Sequence, residues 1–354
     1  MSNRFVHLHV HSIFSFLDST CRLDRLVARV RELGISAVAV TDHDGMYGAV
    51  RFYRTAKEAG VKPILGVELT TEGGFHLTLL AASRRGYGNL CRMVTAGQLK
   101  RGERREVRGD WRRVKPACPM TALAKCAEGV IALSGCWRGE VAEARRRGDR
   151  ERARGAIRRY QEIFGRERFF IELCREEPGD TERLRIARLA ELAKEMGAPV
   201  VATANAHYLT PEEAPVQDVL ACMQTLTKRE EWHGIRRRGA ERYLKSPREM
   251  MREFSAYPEA IENTVRIAEE CEVDLGLGEL HFPHFRMREV CFGAEASEAT
   301  KRPAGVGTPA LQGQETSSCP TDEEVEGERA ERLLEWLCWE GIGRRYGRGK
   351  DGGV

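Results

Sequence analysis

The sequence predicts an α/β protein in which about seven strand–helix units close into a (β/α) barrel. Short apolar runs, such as residues 37–41 and 199–203, alternate with segments whose apolar residues follow helical spacing, as in residues 23–33. Apolar runs without polar alternation are typical of parallel strands buried on both faces. This number of units favours a closed barrel over an open sheet.

The elements follow one another along the first 272 residues. The first strand is expected close to the N-terminus, and the last helices follow the prolines at 211, 247 and 258. The predicted strands are 6–10, 37–41, 63–69, 75–82, 130–134, 169–173 and 199–203, and the predicted helices include 23–33, 47–59, 211–226, 247–254 and 258–272.

The composition changes towards the C-terminus. We expect a folded domain over residues 1–286 and then a linker over 287–322, which is rich in Ala, Gly, Thr, Pro and Ser, has no periodicity and is expected to be disordered. Leucines at helical spacing predict a helix over 323–346, and the tail 347–354 has no fold signal.

The cellular setting is predicted from what the sequence lacks. No run approaches the roughly 18 apolar residues of a membrane span, and the start is no secretory signal. The eleven cysteines are scattered without a CxxC pair, so disulfides are not expected. We therefore expect a cytoplasmic protein that does not contact a membrane.

Basic residues are concentrated in a few segments. Residues 100–115 hold eight basic side chains against three acidic ones, and 236–238 are three consecutive arginines. Such clusters bind phosphate backbones, although a solvated arginine-rich surface would look the same. The candidate DNA contacts are Arg101, Arg104, Arg105, Arg112, Arg113, Arg236, Arg237 and Arg238.

Three histidines occupy alternate positions of the first predicted strand. His7, His9 and His11 therefore share one face, while Leu8 and Val10 face the other way. Three buried imidazoles are unfavourable unless something binds them, and histidine is the commonest metal ligand. A single histidine would more often be a hydrogen-bonded core residue.

Further chemically active residues lie in or directly after other predicted strands. A strand-end glutamate is often solvated and a lone cysteine is often a core residue, but in (β/α) barrels the strand ends converge on one mouth. His, Cys and carboxylates gathered there are typical ligands of transition metals. These residues are His43, Glu68, His76, Cys136 and His207.

Six motifs make the chain resemble a known family. HLHVHS, TDHD, GVE, HLTLL, SGC and ANAHYL occur in the order of the motifs of the PHP (polymerase and histidinol phosphatase) domain. They resemble most closely the PHP domain of bacterial DNA polymerase III alpha subunits, including error-prone relatives. The resemblance covers residues 4–286, implies a distorted (β/α)7 barrel, and extends to 329–346, which is similar to the helix that leads into the polymerase palm.

The resemblance implies a cluster of up to three divalent transition metals, Zn, Mn or Fe. His7 would be an outer neighbour, and Asp42 would orient a metal-bound histidine. The catalytic residues would be Glu68, His11, His43 and His207. The implied ligands are His9, His11, Glu68 and Asn205 for the first metal, Glu68, His76 and Cys136 for the second, and Asp18, His43 and His207 for the third.

Asn205 departs from the family pattern, which often has Asp at this position. An amide oxygen coordinates a cation without a negative charge, so the first metal is expected to bind more weakly. The other eight implied ligands are present.

The resemblance implies a phosphoesterase, with metal-dependent 3′→5′ exonuclease action on DNA as the expected activity. The expected partners are a DNA single strand or 3′ end, other replication subunits, or a separate polymerase chain. DNA synthesis is not expected, because only two Asp residues follow Glu295 and the chain ends where the palm would begin. Two alternatives remain open: a non-catalytic metal-binding scaffold for polymerase assembly, and a histidinol-phosphate-type phosphatase.

Overall fold

Six strands form one curled sheet in which neighbours in the chain are neighbours in space. The computed structural model describes residues 4–99, 116–231 and 239–279. Nearly every strand residue is buried, as the uninterrupted apolar runs predict. The strands are β1 (Ala37–Val40), β2 (Lys62–Thr70), β3 (His76–Ala81), β4 (Val130–Leu133), β5 (Phe169–Cys174) and β6 (Val200–Thr203).

An extended N-terminal segment closes the sheet into a barrel. On one side the backbone N–H of Ala39 donates to the carbonyl of His7 at 2.8 Å. On the other side the N–H of His11 donates to the carbonyl of Ala206, just after β6, at 2.9 Å. The distorted α/β barrel predicted from the sequence is therefore confirmed.

The prediction of a regular first strand over residues 6–10 is wrong in detail. This segment forms only isolated bridges, His7 with Val38 and Val10 with Ala206. Its two neighbours, β1 and β6, are each four residues long. Such short edges leave no room for a continuous ladder, so the segment is extended without being a regular strand.

Strand β3 corrects the expectation of purely parallel strands. It pairs antiparallel with both β2 and β4, whereas the other strand pairs are parallel. Only residues 71–75 separate β2 from β3, which is too short for a crossover helix but suits a hairpin. As a result the start of β3 lies beside the end of β2, with His76 opposite Thr70.

Helices follow most strands, and their apolar faces are buried. The helices predicted over residues 23–33, 47–59, 211–226, 247–254 and 258–272 are present, with ends that differ by a few residues. A short 3₁₀ turn, Pro211–Glu213, leads into α8. The helices are α1 (Leu23–Glu32), α2 (Ala49–Glu58), α3 (Arg84–Leu99), α4 (Met120–Lys125), α5 (Glu140–Arg146), α6 (Arg150–Phe164), α7 (Asp180–Met196), α8 (Ala214–Thr225), α9 (Pro247–Glu253) and α10 (Pro258–Glu270).

The barrel interior has an apolar part and a polar part. Ile64 and Phe170 belong to a small apolar cluster that also includes Ile267 of α10. Because side chains alternate across a strand, Glu68 shares the face of Ile64, and Glu172 shares the face of Phe170. The polar side chains thus occupy the same interior, further along the strands.

The described residues up to Leu277 belong to one compact unit. The predicted domain end at 286, the linker, the helix over 323–346 and the tail lie outside the described residues and stay predictions. None of the helices in the described part of the chain combines the length and the apolar character of a membrane span.

Candidate metal centre

The carboxylate of Glu68 lies at the centre of a group of imidazoles. Its Oε1 is 3.3 Å from His9 Nε2. Its Oε2 is 3.7 Å from His11 Nε2, 2.8 Å from His43 Nδ1 and 2.9 Å from His76 Nδ1. These five side chains come from four separate segments of the chain. Four of them are buried, and His43 is partly exposed.

The fold explains why these five residues meet. His43 follows β1 directly and forms a bridge with Glu68 near the end of β2. His9 and His11 belong to the segment that closes the barrel. His76 starts β3, and because β3 is antiparallel its first residue lies at the same end of the barrel as the last residues of β2.

A second group is built around Asp18. Its Oδ2 lies 3.0 Å from His43 Nε2 and 3.3 Å from His207 Nε2, the other two residues of the third expected set. Its other oxygen accepts a hydrogen bond from Gln217 Nε2 at 3.1 Å. The residue before it, Leu17, has a φ of 59°, an uncommon backbone conformation for a side chain of this size.

Among the described residues, three sets of His and Glu side chains have ligand atoms within 4.8 Å of one another. The set of His9, His11 and Glu68 contains three of the four residues of the first expected set and leaves out Asn205. The other two overlap the expected sets, with His43 in place of Cys136 in one and His11 in place of Asp18 in the other. They are His43, Glu68 and His76, and His11, His43 and His207.

Cys136 and Asn205 lie beside these groups. The Sγ of Cys136 is 3.8 Å from His76 Nδ1, and burial, reinforced by the charge of Glu68, raises the pKa of this thiol well above its usual range. The backbone carbonyl of Asn205 accepts a hydrogen bond from His207 Nδ1 at 2.8 Å, which leaves His207 Nε2 for another partner.

The buried polar atoms fit a cation better than they fit one another. Both oxygens of Glu68 and Nε2 of His207 are buried and form ion pairs with neighbouring side chains, but they make no well-aligned hydrogen bond, and Oδ1 of Asn205 is buried without a hydrogen-bond partner. Unpaired buried polar atoms are unfavourable by about 1–3 kcal/mol each. Imidazole nitrogens together with carboxylate oxygens are the donor set of divalent transition metals, so these residues can hold such ions.

Comparison with known proteins identifies a domain family in this chain. A model of the PHP domain family matches residues 7–176. The chain carries a PHP domain. The error-prone DNA polymerase of Symbiobacterium thermophilum is 45% identical over 289 residues, which are 80% of this chain and 26% of that protein. The DNA polymerase III alpha subunit of Pseudomonas aeruginosa is 36% identical over 80% of this chain and 24% of its own length.

The chain spans about a quarter of the length of the curated relatives it matches. The alpha subunit of Borreliella burgdorferi is 33% identical over 76% of this chain. Among solved structures, a Bifidobacterium adolescentis protein with the provisional name metal-dependent phosphoesterase is similar over 70% of this chain and 96% of its own, with 16% identity and a TM-score of 0.42.

Sequence reasoning missed Glu172, which fixes a histidine of the PHP domain. His9 Nδ1–H donates to Glu172 Oε1 at 2.6 Å, and Thr203 Oγ1 donates to the same oxygen at 2.5 Å. A carboxylate behind a metal-binding histidine sets its tautomer and increases its basicity. The available signal was an acidic residue in the middle of the apolar run FFIELC.

Asp42 is connected to a candidate ligand of the PHP domain, His11, through a serine side chain. Ser15 Oγ lies 3.0 Å from His11 Nδ1 and donates to Asp42 Oδ1 at 2.6 Å. Ser12 binds the same carboxylate through its N–H and its hydroxyl, each at 2.7 Å. Asp42 therefore contacts His11 through Ser15, which is the route by which it would orient this histidine.

Charges within the site shift the pKa values in opposite directions. Burial opposes the charged form of His9, but the carboxylates of Glu172 and Glu68 outweigh it and raise the pKa of His9 to about 10. In the same way Glu68 and Asp18 raise the pKa of His43 to about 10. Burial and the neighbouring rings lower the pKa of His11 well below its usual range.

His7 is separate from the candidate ligands, as expected. Its Nε2–H donates to the carbonyl of Lys245 at 2.8 Å, and its ring packs edge-on against Phe5. Burial lowers the pKa of His7 to about 4, so the ring is neutral. It behaves as a hydrogen-bonded core residue.

Asn205 contacts a buried ion pair that was not predicted from the sequence. Arg242 pairs with Glu176, and both side chains are buried. Glu176 Oε1 also accepts from Asn205 Nδ2 at 3.5 Å, while the carbonyl of Arg242 accepts from the N–H of His207. This pair links the segment that carries His207 to the region after α8.

The arginines expected to contact DNA lie outside the described residues, so that expectation stays a prediction. They are Arg101, Arg104, Arg105, Arg112, Arg113, Arg236, Arg237 and Arg238.

Proposed function

We propose that this chain is a metal-dependent phosphoesterase that removes nucleotides from the 3′ end of a DNA strand. The observation that carries the proposal is the buried Glu68 carboxylate, which lies within 4 Å of four imidazoles. The polymerase names of the relatives support DNA as the substrate class.

The ligand proposal follows the expected sets. His9, His11, Glu68 and Asn205 would hold a first divalent ion, Glu68, His76 and Cys136 a second, and Asp18, His43 and His207 a third. When bound, ions of this kind lower the pKa of a coordinated water and neutralise the charge on phosphate oxygens. Zn, Mn and Fe all suit this mixture of nitrogen, oxygen and sulfur donors.

The residues of the chain perform the positioning. Glu172 holds the His9 ring so that Nε2 faces Glu68, and Ser15 holds the His11 ring in the same way. Gln217 orients Asp18 towards His43 and His207. Because these groups are buried or partly buried, their charges act on a phosphate with less screening than they would in water.

A non-catalytic scaffold is the second candidate, and Asn205 favours it. An amide at this position contributes no charge, which weakens the first site. Under this alternative the ions stabilise the fold without turnover. In either case we propose DNA, other replication subunits or a separate polymerase chain as partners, and the bacterial cytoplasm as the location.

The test is hydrolysis of a 3′-labelled DNA single strand by the purified protein with Mn²⁺ or Zn²⁺, with histidinol phosphate as the competing substrate. We expect nucleotide release that is lost in His9→Ala and His43→Ala. His7→Gln is the matched control, because it changes a histidine of the same segment and keeps a donor for the Lys245 carbonyl.

Each other outcome has its own reading. Bound metal without release of nucleotides or phosphate would support the scaffold. Release of phosphate from histidinol phosphate alone would assign the chain to the small-molecule phosphatases and overturn the proposal.

A further inference from the structure

Two aromatic side chains are exposed beside the candidate metal centre. Phe16 is 63% exposed and Tyr47 is 60% exposed, and no other Phe, Tyr or Trp in the described part of the chain is classed as exposed. Aromatic side chains normally bury most of their surface, since each can bury 150–250 Å². An exposed aromatic pair beside a candidate catalytic site therefore requires an explanation.

The pair is tied to the candidate ligands by short stretches of chain. Phe16 stands two residues before Asp18, and Tyr47 stands four residues after His43. Two residues span at most about 7 Å. Asp18 Oδ2 lies 3.0 Å from His43 Nε2, and the ring centroids of Phe16 and Tyr47 are 6.2 Å apart. Both rings therefore stand close along the chain to the same pair of candidate ligands.

The local backbone holds the rings in place. A Cβ on Gly45 would meet the Tyr47 ring at 2.2 Å, so the ring lies directly over this glycine. Phe14, which packs over Gly48, is in edge contact with Phe16 at 6.4 Å between centroids. The Phe16 and Tyr47 planes are tilted by 39° and do not stack on each other. Ring faces consequently stay available to a flat ligand.

We propose that Phe16 and Tyr47 form a stacking platform for the terminal bases of a DNA single strand. This inference rests on the proposed function and adds which side chains would bind the bases of the substrate strand. A phosphodiester held at the Asp18–His43 end carries a base one sugar away, within reach of these two rings. A small phosphate ester without a flat ring would leave the platform unused.

Stacking fits the exposure of these two aromatic rings. Every base has a π-face, so base–aromatic stacking tolerates any sequence, and it contributes about 1–3 kcal/mol per base. The platform would thus favour single strands, whose bases are free, over paired ends. It would act on substrate affinity, because the two rings are proposed to contact the bases and not the phosphate.

The test compares a DNA strand that carries 2-aminopurine at its 3′ end with the same strand ending in abasic residues. Binding is followed by anisotropy and by the emission of 2-aminopurine, which falls on stacking, and release from a 3′-labelled strand is measured separately. The variants are Phe16→Ala, Tyr47→Ala and the double variant. Phe16→Trp is the conservative variant, and Leu184→Ala removes an exposed apolar side chain from α7 as a control.

We expect the double variant to lose the quenching and to bind the normal strand about tenfold or more weakly, while its binding of the abasic strand is unchanged. Phe16→Trp should keep the quenching, and Leu184→Ala should behave as wild type. Quenching or base preference that persists in the double variant would overturn the platform.

The two proposals fail separately. Quenching that depends on both rings, without any nucleotide release, would keep the platform and refute the exonuclease. Nucleotide release with equal KM for normal and abasic ends would keep the exonuclease and refute the platform.

Discussion

Single hydrogen bonds fix the ring orientation of the candidate ligands. His9 has one nitrogen fixed by Glu172 at 2.6 Å and the other 3.3 Å from Glu68. The negative charge of Glu172 makes the His9 imidazole more basic. It is the largest of the effects that raise the pKa of His9. Partners of this kind typically contribute a factor of about 10–100 to metal affinity.

We therefore predict that Glu172→Gln lowers the affinity for Zn²⁺ by about 10- to 100-fold with little loss of stability, because Gln keeps the shape and an acceptor oxygen. Titration in competition with a chromogenic chelator measures it. Glu162→Gln on the exposed face of α6 is the control. An unchanged affinity would mean that Glu172 is only a core residue.

Asn205→Asp should strengthen metal binding. The amide oxygen Oδ1 is buried without a partner, and a carboxylate there would add a charged ligand. In the absence of metal the same carboxylate would lie near Glu176, so like charges would repel. We expect a larger rise of Tm on adding Mn²⁺ than in the wild type, and a lower Tm in chelator. Equal Tm shifts in both proteins would contradict this role.

Metal affinity should increase with pH. His9 and His43 have pKa values raised to about 10, so near neutral pH each ring holds a proton that a cation must displace. The displacement becomes easier as the pH approaches 10. Calorimetry between pH 6.5 and about 9, in buffers of different ionisation enthalpy, should show proton release and an apparent affinity that rises with pH. Affinity that falls over this range would contradict the assignment.

At the scale of elements, the hairpin from β2 to β3 completes the cluster. It places His76 beside Glu68 because β3 runs antiparallel to its neighbours. The sequence contained a signal for this, since Gly73 and Gly74 interrupt two apolar runs five residues apart, as in hairpin loops. The alternation of strands and helices elsewhere in the chain outweighed it and led to the expectation of a parallel strand.

The contact of α3 with the loop before β4 gives a test of packing. A Cβ on Gly86 would lie 1.8 Å from the carbonyl oxygen of Gly129, whereas a Cβ on Gly88 would meet only the end of the Arg92 side chain at 3.8 Å. We predict that Gly86→Ala lowers the free energy of unfolding by about 2–3 kcal/mol. Gly88→Ala should raise it by up to about 1 kcal/mol through helix propensity.

Urea denaturation of both variants measures the difference. Equal stabilities would show that α3 is not packed against residue 129 as described.

At the scale of the whole molecule, the barrel and the residues that meet around Glu68 could be predicted from the sequence for a physical reason. Apolar strands and the residues that follow them are local patterns, and barrel topology brings strand ends together. Contacts between distant segments have no such local signature. Gln217 donates to Asp18 across 199 residues of chain, and the Arg242–Glu176 pair also joins distant segments.

The central claim is that divalent ions bind between these side chains. The most direct measurement is an anomalous difference map from crystals grown with Zn²⁺ or Mn²⁺, recorded on both sides of the metal edge. We predict anomalous peaks within about 2.0–2.3 Å of Glu68 and of His9 or His76, and near Asp18 with His207. A map without peaks at Glu68, from protein that retains its fold, would contradict the account.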